Sequence, residues 1–534
     1  MSGLLIVVAF PPWDFPFLIW IAPIPWILEQ RRSSLKDGLW SAFWLSWIMT
    51  LGGFGWAAYA VREFGGVPLP LAIVGVAIAA WFGQLQFPFY SVLRRIIPPA
   101  WYRPAILALV YTAGDQFSPK IFKDTFGHSQ YSVAATRQLA ELTGTMGITF
   151  WIWWTAEALA RPAEWAVSIL LKRVGRIKAA LPRPSRVEWS EVGTVLAAGL
   201  LISLWGSHRS SQLRAEWNSS THRVRLAGIQ ANIGDFDKIA SENGLQDAAM
   251  NVMHQYFMLS DRAMQAKPAP QAIIWPETSY PALFRSPSNS FEAARDHKLE
   301  EFVGSLGAPL WFGGYDHADD HDFNTLFFLE PDQPPKAPDL QIYHKSILLP
   351  FGEYIPFAED WQWVHDAFPQ VGFFGRGPGP TVYHLHPKGS DPIGVTPVIC
   401  YEALFPEFGV EAARKGAQLL LNITNDSWFG PFGEPHLHLA LSTFRGIETT
   451  LPQLRVTNTG VSALILPDGT ITQATPLFTE QILQADIAVP PPGGFHRTLA
   501  VRLGGEWFGR LCLLLGAGVC LAGHTVQRRR RRRD

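Results

Sequence analysis

The apolar positions of the first two hundred residues come in runs rather than in alternation. Residues 39–60, 69–93, 104–117, 144–171 and 192–207 are largely free of charge and predict membrane-spanning helices. The third run is short, and the fourth carries Glu157, Arg161 and Glu164. Two briefer runs, 1–10 and 15–28, precede them and are divided by Pro11 and Pro12. These predict two short or tilted helices, or alternatively one re-entrant hairpin. The first has no basic start and no small-residue cleavage site, so it is not expected to be a removable signal. A last run, 507–524, brings the expected spans to eight.

After Thr221 the pattern changes. Short β-branched and apolar stretches at 223–230, 272–275, 309–313, 324–329, 394–400, 418–423 and 454–457 predict strands. Helical stretches at 245–265, 291–304 and 437–449 lie between several of them. Strands alternating with helices predict an α/β layer architecture. The glycine- and proline-rich segment 375–380 predicts a loop, not a phosphate cradle, since no strand-to-helix pattern surrounds it.

Composition agrees with this division. Of 534 residues, 48% are hydrophobic and only 17% charged, and fifteen of the 22 tryptophans precede Gly206. That placement predicts an interfacial aromatic belt. Net charge is -1 and names no partner, but the basic residues cluster. Arg31, Arg32 and Lys36, then Arg94, Arg95 and Arg103, then the group from Lys172 to Arg186, and finally Arg528–Arg533 fall on one side if the spans alternate. The positive-inside rule makes that side the cytoplasm and puts 208–502 on the other. The terminal arginines are expected beside a span and anionic lipid, so no nucleic-acid partner is expected. The domains expected are a seven-span bundle at 1–207, a soluble domain at 208–502, and a last span with a basic tail at 503–534.

Three cysteines make no disulfide framework. Cys512 and Cys520 lie in the last apolar run. Cys400 stands alone in the soluble domain, at the tip of a predicted strand in GVTPVICYEALFP. A thiol there is a nucleophile if something nearby takes its proton, and otherwise a small buried hydrophobe. Two other stretches carry charge in apolar settings: AIIWPETSYP, with Glu277, and YHKSILLPFGEYIP, with Lys345 and Glu353. Each could alone be a structural ion pair. His436 and His438 are two apart without a further ligand cluster, so no metal and no cofactor is expected.

Together, WPET, the lysine of YHKSILLPFGEYIP and the cysteine of ICYE resemble the Glu-Lys-Cys triad of the nitrilase (carbon–nitrogen hydrolase) superfamily, and LLLNITNDSWFG fits as well. With the flanking spans, nearly the whole chain resembles the apolipoprotein N-acyltransferase family. The resemblance implies an αββα sandwich, with Cys400 as nucleophile, Glu277 as general base and Lys345 as essential lysine. It puts Glu353, Tyr401 and Glu402 beside them. It further implies a bacterial inner-membrane enzyme with a periplasmic catalytic domain and a cytoplasmic tail. Its acyl donor would be a phospholipid and its acceptor a diacylglyceryl-modified apolipoprotein. One departure stands out: a tryptophan common after a lysine near the first strand is Ile239 here, after Lys238, with Phe236 as a possible substitute.

Such chemistry needs a wall against water. Residues 355–376, with Trp361, Trp363, Phe368, Phe373 and Phe374, supply one candidate, the alternative being domain core. Phe373 and Phe374 are expected on an arm that meets lipid. Trp428 and Phe429 are a second candidate wall, and Asn422, Asn425 and Asn458 are candidates for holding the loops or for ordinary turn chemistry. Asn425 is also counted among the substrate contacts. Two rival functions remain at this point: a membrane-tethered amidase for a small molecule, and a transporter carrying an inactive domain. Seven preceding spans exceed what a tether needs, and the spans are expected to lack the paired charges of transport routes.

Overall fold

The computed structural model describes residues 1–234, 246–287, 289–332, 340–358, 361–367 and 371–531. The chain divides into two compact units. One comprises Met1–Ala58, Leu69–Ser210 and Leu503–Asp534, the other Tyr59–Pro68 and Ser211–Arg502.

The first unit is helical, as its apolar runs predict. Among the described residues, two helices are long and apolar enough to cross a membrane: the broken helix Leu69–Ile96 and Arg186–Ser219. The two earliest runs form only short elements, Ser2–Val8, the 3-10 turn Pro16–Trp20 and Ile24–Arg32. Prolines at positions 11, 12, 16, 23 and 25 interrupt the pattern there. At the unit's centre Trp153 stacks on Tyr111 with ring centroids 3.7 Å apart.

One expectation fails in this unit. Paired charges are present within the helices: Arg94 meets Glu157 at 2.5 Å, with both side chains nearly fully buried. Lys120 meets Asp115 at 2.5 Å and donates to the Asp124 carbonyl at 2.7 Å. Arg94 reads in the sequence as one more loop arginine. Its position on the buried face of helix Gln86–Ile96 requires a counter-charge, because an unpaired charge out of water is costly.

The second unit is built on two six-stranded sheets. The strands are β1 (Arg223–Gln230), β2 (Ala272–Ile274), β3 (Leu310–Ala318), β4 (His321–Leu329), β5 (Gln341–His344), β6 (Tyr383–Leu385), β7 (Ile393–Ile399), β8 (Leu419–Thr424), β9 (Gln453–Thr457), β10 (Ala463–Ile465), β11 (Ile471–Ala474) and β12 (Gln481–Ala488). The first sheet has the order β12-β1-β2-β3-β4-β5 and the second β11-β10-β9-β8-β7-β6. They meet face to face at β1 and β9, where a Cβ on Gly228 would lie 2.7 Å from the Val456 side chain. A larger residue at Gly228 would push the sheets apart.

Helices Gln246–Met264 and Ser290–Leu306 cover the first sheet. Val252, Met253, Tyr256, Leu259, Leu299 and Val303 pack there with Ile273, Trp275 and Phe312. Helices Pro406–Arg414 and Glu434–Thr449 belong to the second sheet's side. The result is the nitrilase-like sandwich of sheets and helices that the motifs imply. Parallel neighbours β1-β2-β3 and β7-β8-β9 run side by side in their two sheets, so their C-terminal ends gather loops on one edge of each. Pro397, which has no N–H to give, sits in β7 beyond the end of its pairing with β6.

Candidate active site

Glu277 follows β2 by three residues. Its turn rides directly on β3: a Cβ at Gly313 would lie 2.6 Å from the Pro276 oxygen and 2.7 Å from the Glu277 Cα. Only glycine permits that approach. Tyr280 N donates to Gly313 O at 2.9 Å and locks the turn. Lys345 comes one residue after β5, held by its N–H on Asn324 O at 2.8 Å. Gly377 N donates to Lys345 O at 2.9 Å, and a Cβ on Gly377 would collide with the His344 oxygen. The glycine-rich loop is therefore a close-fitting backbone strap.

Cys400 is the first residue past β7 and opens a 3-10 turn, Cys400–Leu404. Its φ is +48°, in the left-handed region that a side chain makes unfavourable. The thiol thus sits on a sharp strand-end bend, 8% exposed.

The three strand ends converge. Lys345 Nζ donates to Glu353 Oε1 at 2.8 Å and to Glu277 Oε1 at 3.2 Å. The lysine is buried to 2% exposure. Burial alone would push it down, but Glu277, Glu353 and Cys400 outweigh that and raise it well above the usual lysine range. Burial pushes the Cys400 thiol well up, the Glu277 charge adds to this, and Lys345 only partly opposes them. The resting arrangement is therefore a neutral thiol beside an ammonium and a carboxylate, and a proton must leave sulfur as bond formation proceeds.

Glu402 is fully buried and acts as a brace. Its Oε1 accepts from Tyr343 OH at 2.7 Å and from Ser346 N at 2.7 Å, and its Oε2 accepts from Ile399 N at 2.8 Å. One carboxyl thereby ties the residue after Lys345 to the residue before Cys400. Glu353 Oε2 accepts from Leu349 N at 2.7 Å, which fixes its loop.

Sequence reasoning missed Asn324. Its Nδ2 donates both to Glu277 Oε1 at 2.8 Å and to Glu353 Oε1 at 3.0 Å, so it aligns the two carboxylates. The signal was available: a buried asparagine inside the apolar strand β4 needs partners. Asn425 is fully buried. Its backbone N–H donates to Glu277 Oε2 at 2.9 Å, and its side chain accepts from Asn458 Nδ2 at 3.2 Å. Asn422 donates to Val398 O at 2.8 Å and so braces β7.

A second buried polar cluster adjoins Cys400, and it too escaped the sequence reading. Arg455 Nη2 donates to Asp426 Oδ2 at 2.8 Å, and Nη1 to Asn422 Oδ1 at 2.6 Å. His438 lies between Asp426 Oδ1, 3.2 Å from Nδ1, and the Cys400 carbonyl, 3.2 Å from Nε2. Burial lifts Asp426, but Arg455 and His438 prevail and hold its carboxyl at about 2. Burial, joined by the Arg455 charge, keeps His438 below the usual histidine range despite Asp426. The acceptor atoms of Asp426, Glu434 and His438 lie within 4.8 Å of one another. The Arg455 guanidinium already supplies positive charge to that cluster, so its donor set is that of an ion-pair network and not of an open metal cage. His438 is buried.

Phe373 stacks on His365 at 3.6 Å and Phe374 on Tyr315 at 5.6 Å, both half-buried. Phe374 N donates to Glu353 O at 3.0 Å, which ties this segment to the site. Phe357 is 96% exposed, and Trp361 and Trp363 are exposed and stack at 5.9 Å. Phe429 is buried. The Trp428 side chain and the expectations on Phe236, Lys238, Ile239 and Phe368 lie outside the described residues.

Comparison with known proteins identifies the family. Residues 225–490 match the family described as carbon-nitrogen hydrolase, and residues 2–158 match the family described as apolipoprotein N-acyltransferase N-terminal domain. The layered unit is accordingly a carbon–nitrogen hydrolase domain, preceded by a helical domain of defined type. The apolipoprotein N-acyltransferase of Bdellovibrio bacteriovorus is 31% identical over 508 residues, covering 90% of this chain and 85% of that protein. That of Geobacter metallireducens is 27% identical over 543 residues, covering 98% and 94%. Among solved structures, Saccharomyces cerevisiae Nit3, a member of branch 10 of the nitrilase superfamily, aligns at a TM-score of 0.36 and 16% identity, covering 50% of this chain and 91% of its own. The chain belongs to the apolipoprotein N-acyltransferase family, acyltransferases built on a carbon–nitrogen hydrolase domain.

Proposed function

We propose that this enzyme moves an acyl chain from a phospholipid, through a thioester on Cys400, to the α-amine of the diacylglyceryl-cysteine at an apolipoprotein N-terminus. The observation that carries the reading is the convergence of Glu277 and Lys345 on the strand-end thiol, with Glu353 bonded to the lysine, within a chain that matches this family over most of its length.

Glu277 takes the thiol proton as sulfur attacks the ester carbonyl. The negative charge that forms on the carbonyl oxygen is met by the Lys345 ammonium and the Tyr401 backbone N–H. The intermediate collapses, the carbon–oxygen bond breaks, and the lysophospholipid leaves with the proton from Glu277. In the second half the amine attacks the thioester and Glu277 takes its proton. The carbon–sulfur bond breaks, the amide departs, and the proton returns to Cys400. Glu353 holds the ammonium throughout, and Glu402 holds the bend.

Phe373, Phe374 and Phe429 form the acyl-chain wall, and the buried Asn425 contributes by steadying the base. The chain crosses the bacterial inner membrane eight times: residues 1–207 carry seven spans, 208–502 form a periplasmic catalytic domain, and 503–534 return to a cytoplasmic arginine tail. The apolar helices and the one-sided basic clusters support this topology.

The test is transfer itself. Purified enzyme in vesicles receives phospholipid labelled in its acyl chain and a diacylated lipopeptide. The reading expects label in amide linkage at the lipopeptide amine, with an equal amount of lysophospholipid. Release of labelled free fatty acid with no amide would replace it with a hydrolase.

A further inference from the structure

The Cys400–Tyr401 peptide has an anchor that the reaction scheme above leaves unused. A carbonyl oxygen only accepts hydrogen bonds, so the 3.2 Å contact between His438 Nε2 and Cys400 O requires the hydrogen on Nε2. The other ring nitrogen, Nδ1, faces both Arg455 Nη2 and Asp426 Oδ1, each at 3.2 Å, and the hydrogen on Nε2 is required whichever of the two it engages. Arg455 is itself held by Asp426 and Asn422, so the imidazole is oriented from behind by a fully buried guanidinium. Helix Glu434–Thr449 carries His438, and strand β9 carries Arg455. Both are rigid elements, independent of the loop that bears the thiol.

A peptide group is planar and trans, so its C=O and N–H point in opposite directions. Fixing the Cys400 oxygen therefore fixes the direction of the Tyr401 N–H. The bend needs such a support: Cys400 at φ +48° gains by turning this peptide over unless both flanks are held. Glu402 holds the flank before it, through Ile399 N. His438 holds the flank after it.

We propose that His438 is a positioning residue for acyl transfer: its Nε2–H clamps the Cys400 carbonyl and so aims the Tyr401 N–H at the oxyanion. This rests on Cys400 being the acylated nucleophile. Asp426 and Arg455 act through His438 and set which ring nitrogen carries the hydrogen.

The clamp serves a step that builds an oxyanion and is irrelevant to one that does not. Two rates on full-length enzyme in vesicles separate these: acylation of Cys400 by a phospholipid, and alkylation of Cys400 by iodoacetamide, each followed by intact mass. His438→Leu is expected to slow acylation about 100-fold, the loss seen when one oxyanion donor is removed, with alkylation changed less than threefold. Glutamine places an amide N–H near the reach of Nε2, so His438→Gln is expected to acylate within about tenfold of the native rate. Asparagine is too short to reach the carbonyl, so His438→Asn is expected to resemble His438→Leu. If His438→Leu does not accumulate, the Gln and Asn variants decide alone. Equal losses of acylation and alkylation, or Gln and Asn variants that behave alike, overturn the clamp. Native enzyme that alkylates but never acylates at Cys400 overturns the underlying reading instead.

Discussion

Among the described residues, Lys120 and Lys345 are each buried between two carboxylates. Lys120 has Asp115 at 2.5 Å and Asp124 at 3.9 Å, and Lys345 has Glu353 at 2.8 Å and Glu277 at 3.2 Å. By charge and burial they are nearly the same object. They differ in how the chain makes them. The partners of Lys120 lie five residues before it and four after it, so the cluster staples one connection in the helical unit. The partners of Lys345 lie 68 residues before it and eight after it, and they meet a thiol on a strained strand-end bend. A buried charge cluster alone does not define a catalytic site. What supports the proposed site is that groups distant in sequence gather beside a strand-end thiol.

The largest effects should divide the two lysines. Lys345→Met is expected to lower acyl transfer per folded molecule about 10³-fold, because it removes the charge that faces the developing oxyanion, and also to cost about 3–5 kcal/mol of stability by leaving Glu277 and Glu353 buried without a cation. Lys120→Met is expected to cost stability alone. It leaves two buried carboxylates without a cation, at about 3–5 kcal/mol of stability, while transfer per folded molecule stays native. Thermal melts beside single-turnover rates read both. Activity loss without instability in Lys120→Met would erase the distinction.

Next comes the aromatic segment bonded to Glu353. Replacing both Phe373 and Phe374 by Asp is expected to lower transfer roughly 100-fold while Cys400 alkylation persists, because charged groups would face an acyl chain. Loss of alkylation as well would make the pair domain core.

Asn324→Leu is expected to cost about 10–100-fold in transfer, the worth of hydrogen bonds to charged groups, with little change in lipid KM. An unchanged rate would mean that Lys345 alone aligns Glu277 and Glu353.

The smallest effect is a slope. Cys400 sits well above its ordinary pKa of 9.0, so below that raised value each pH unit upward increases thiolate tenfold. Alkylation of the resting enzyme should therefore rise through pH 9 without levelling. A plateau near pH 7 would mean a standing thiolate and would remove the need for Glu277 as a base at that step.

The sequence was most legible where one residue type had one reason to be there. Strand β1 appears at its expected limits, Glu277 and Cys400 stood out because each follows an apolar run, and Lys345 stood out because apolar residues flank it. The β10–β11 hairpin was missed although Asp468–Gly469, with Gly469 at φ +79°, is a plain turn signal. Strand β12 was missed because Gln481, Gln484 and Asp486 dilute its apolar alternation on a half-exposed edge. The partners of Asn324, His438 and Arg455 could not be read from one line of text. Each is a polar residue whose partner lies on another strand or helix, and its role exists only after the strands are in register. The Arg94–Glu157 pair was hidden for the same reason.

The central claim is that Cys400 carries the acyl group. The direct measurement is the mass of the Cys400 peptide after brief incubation of the enzyme with one defined phospholipid and no acceptor. The account predicts a gain of one acyl chain at Cys400, released by hydroxylamine and discharged when lipopeptide is added. An unmodified Cys400 in enzyme that still forms the amide product would contradict it.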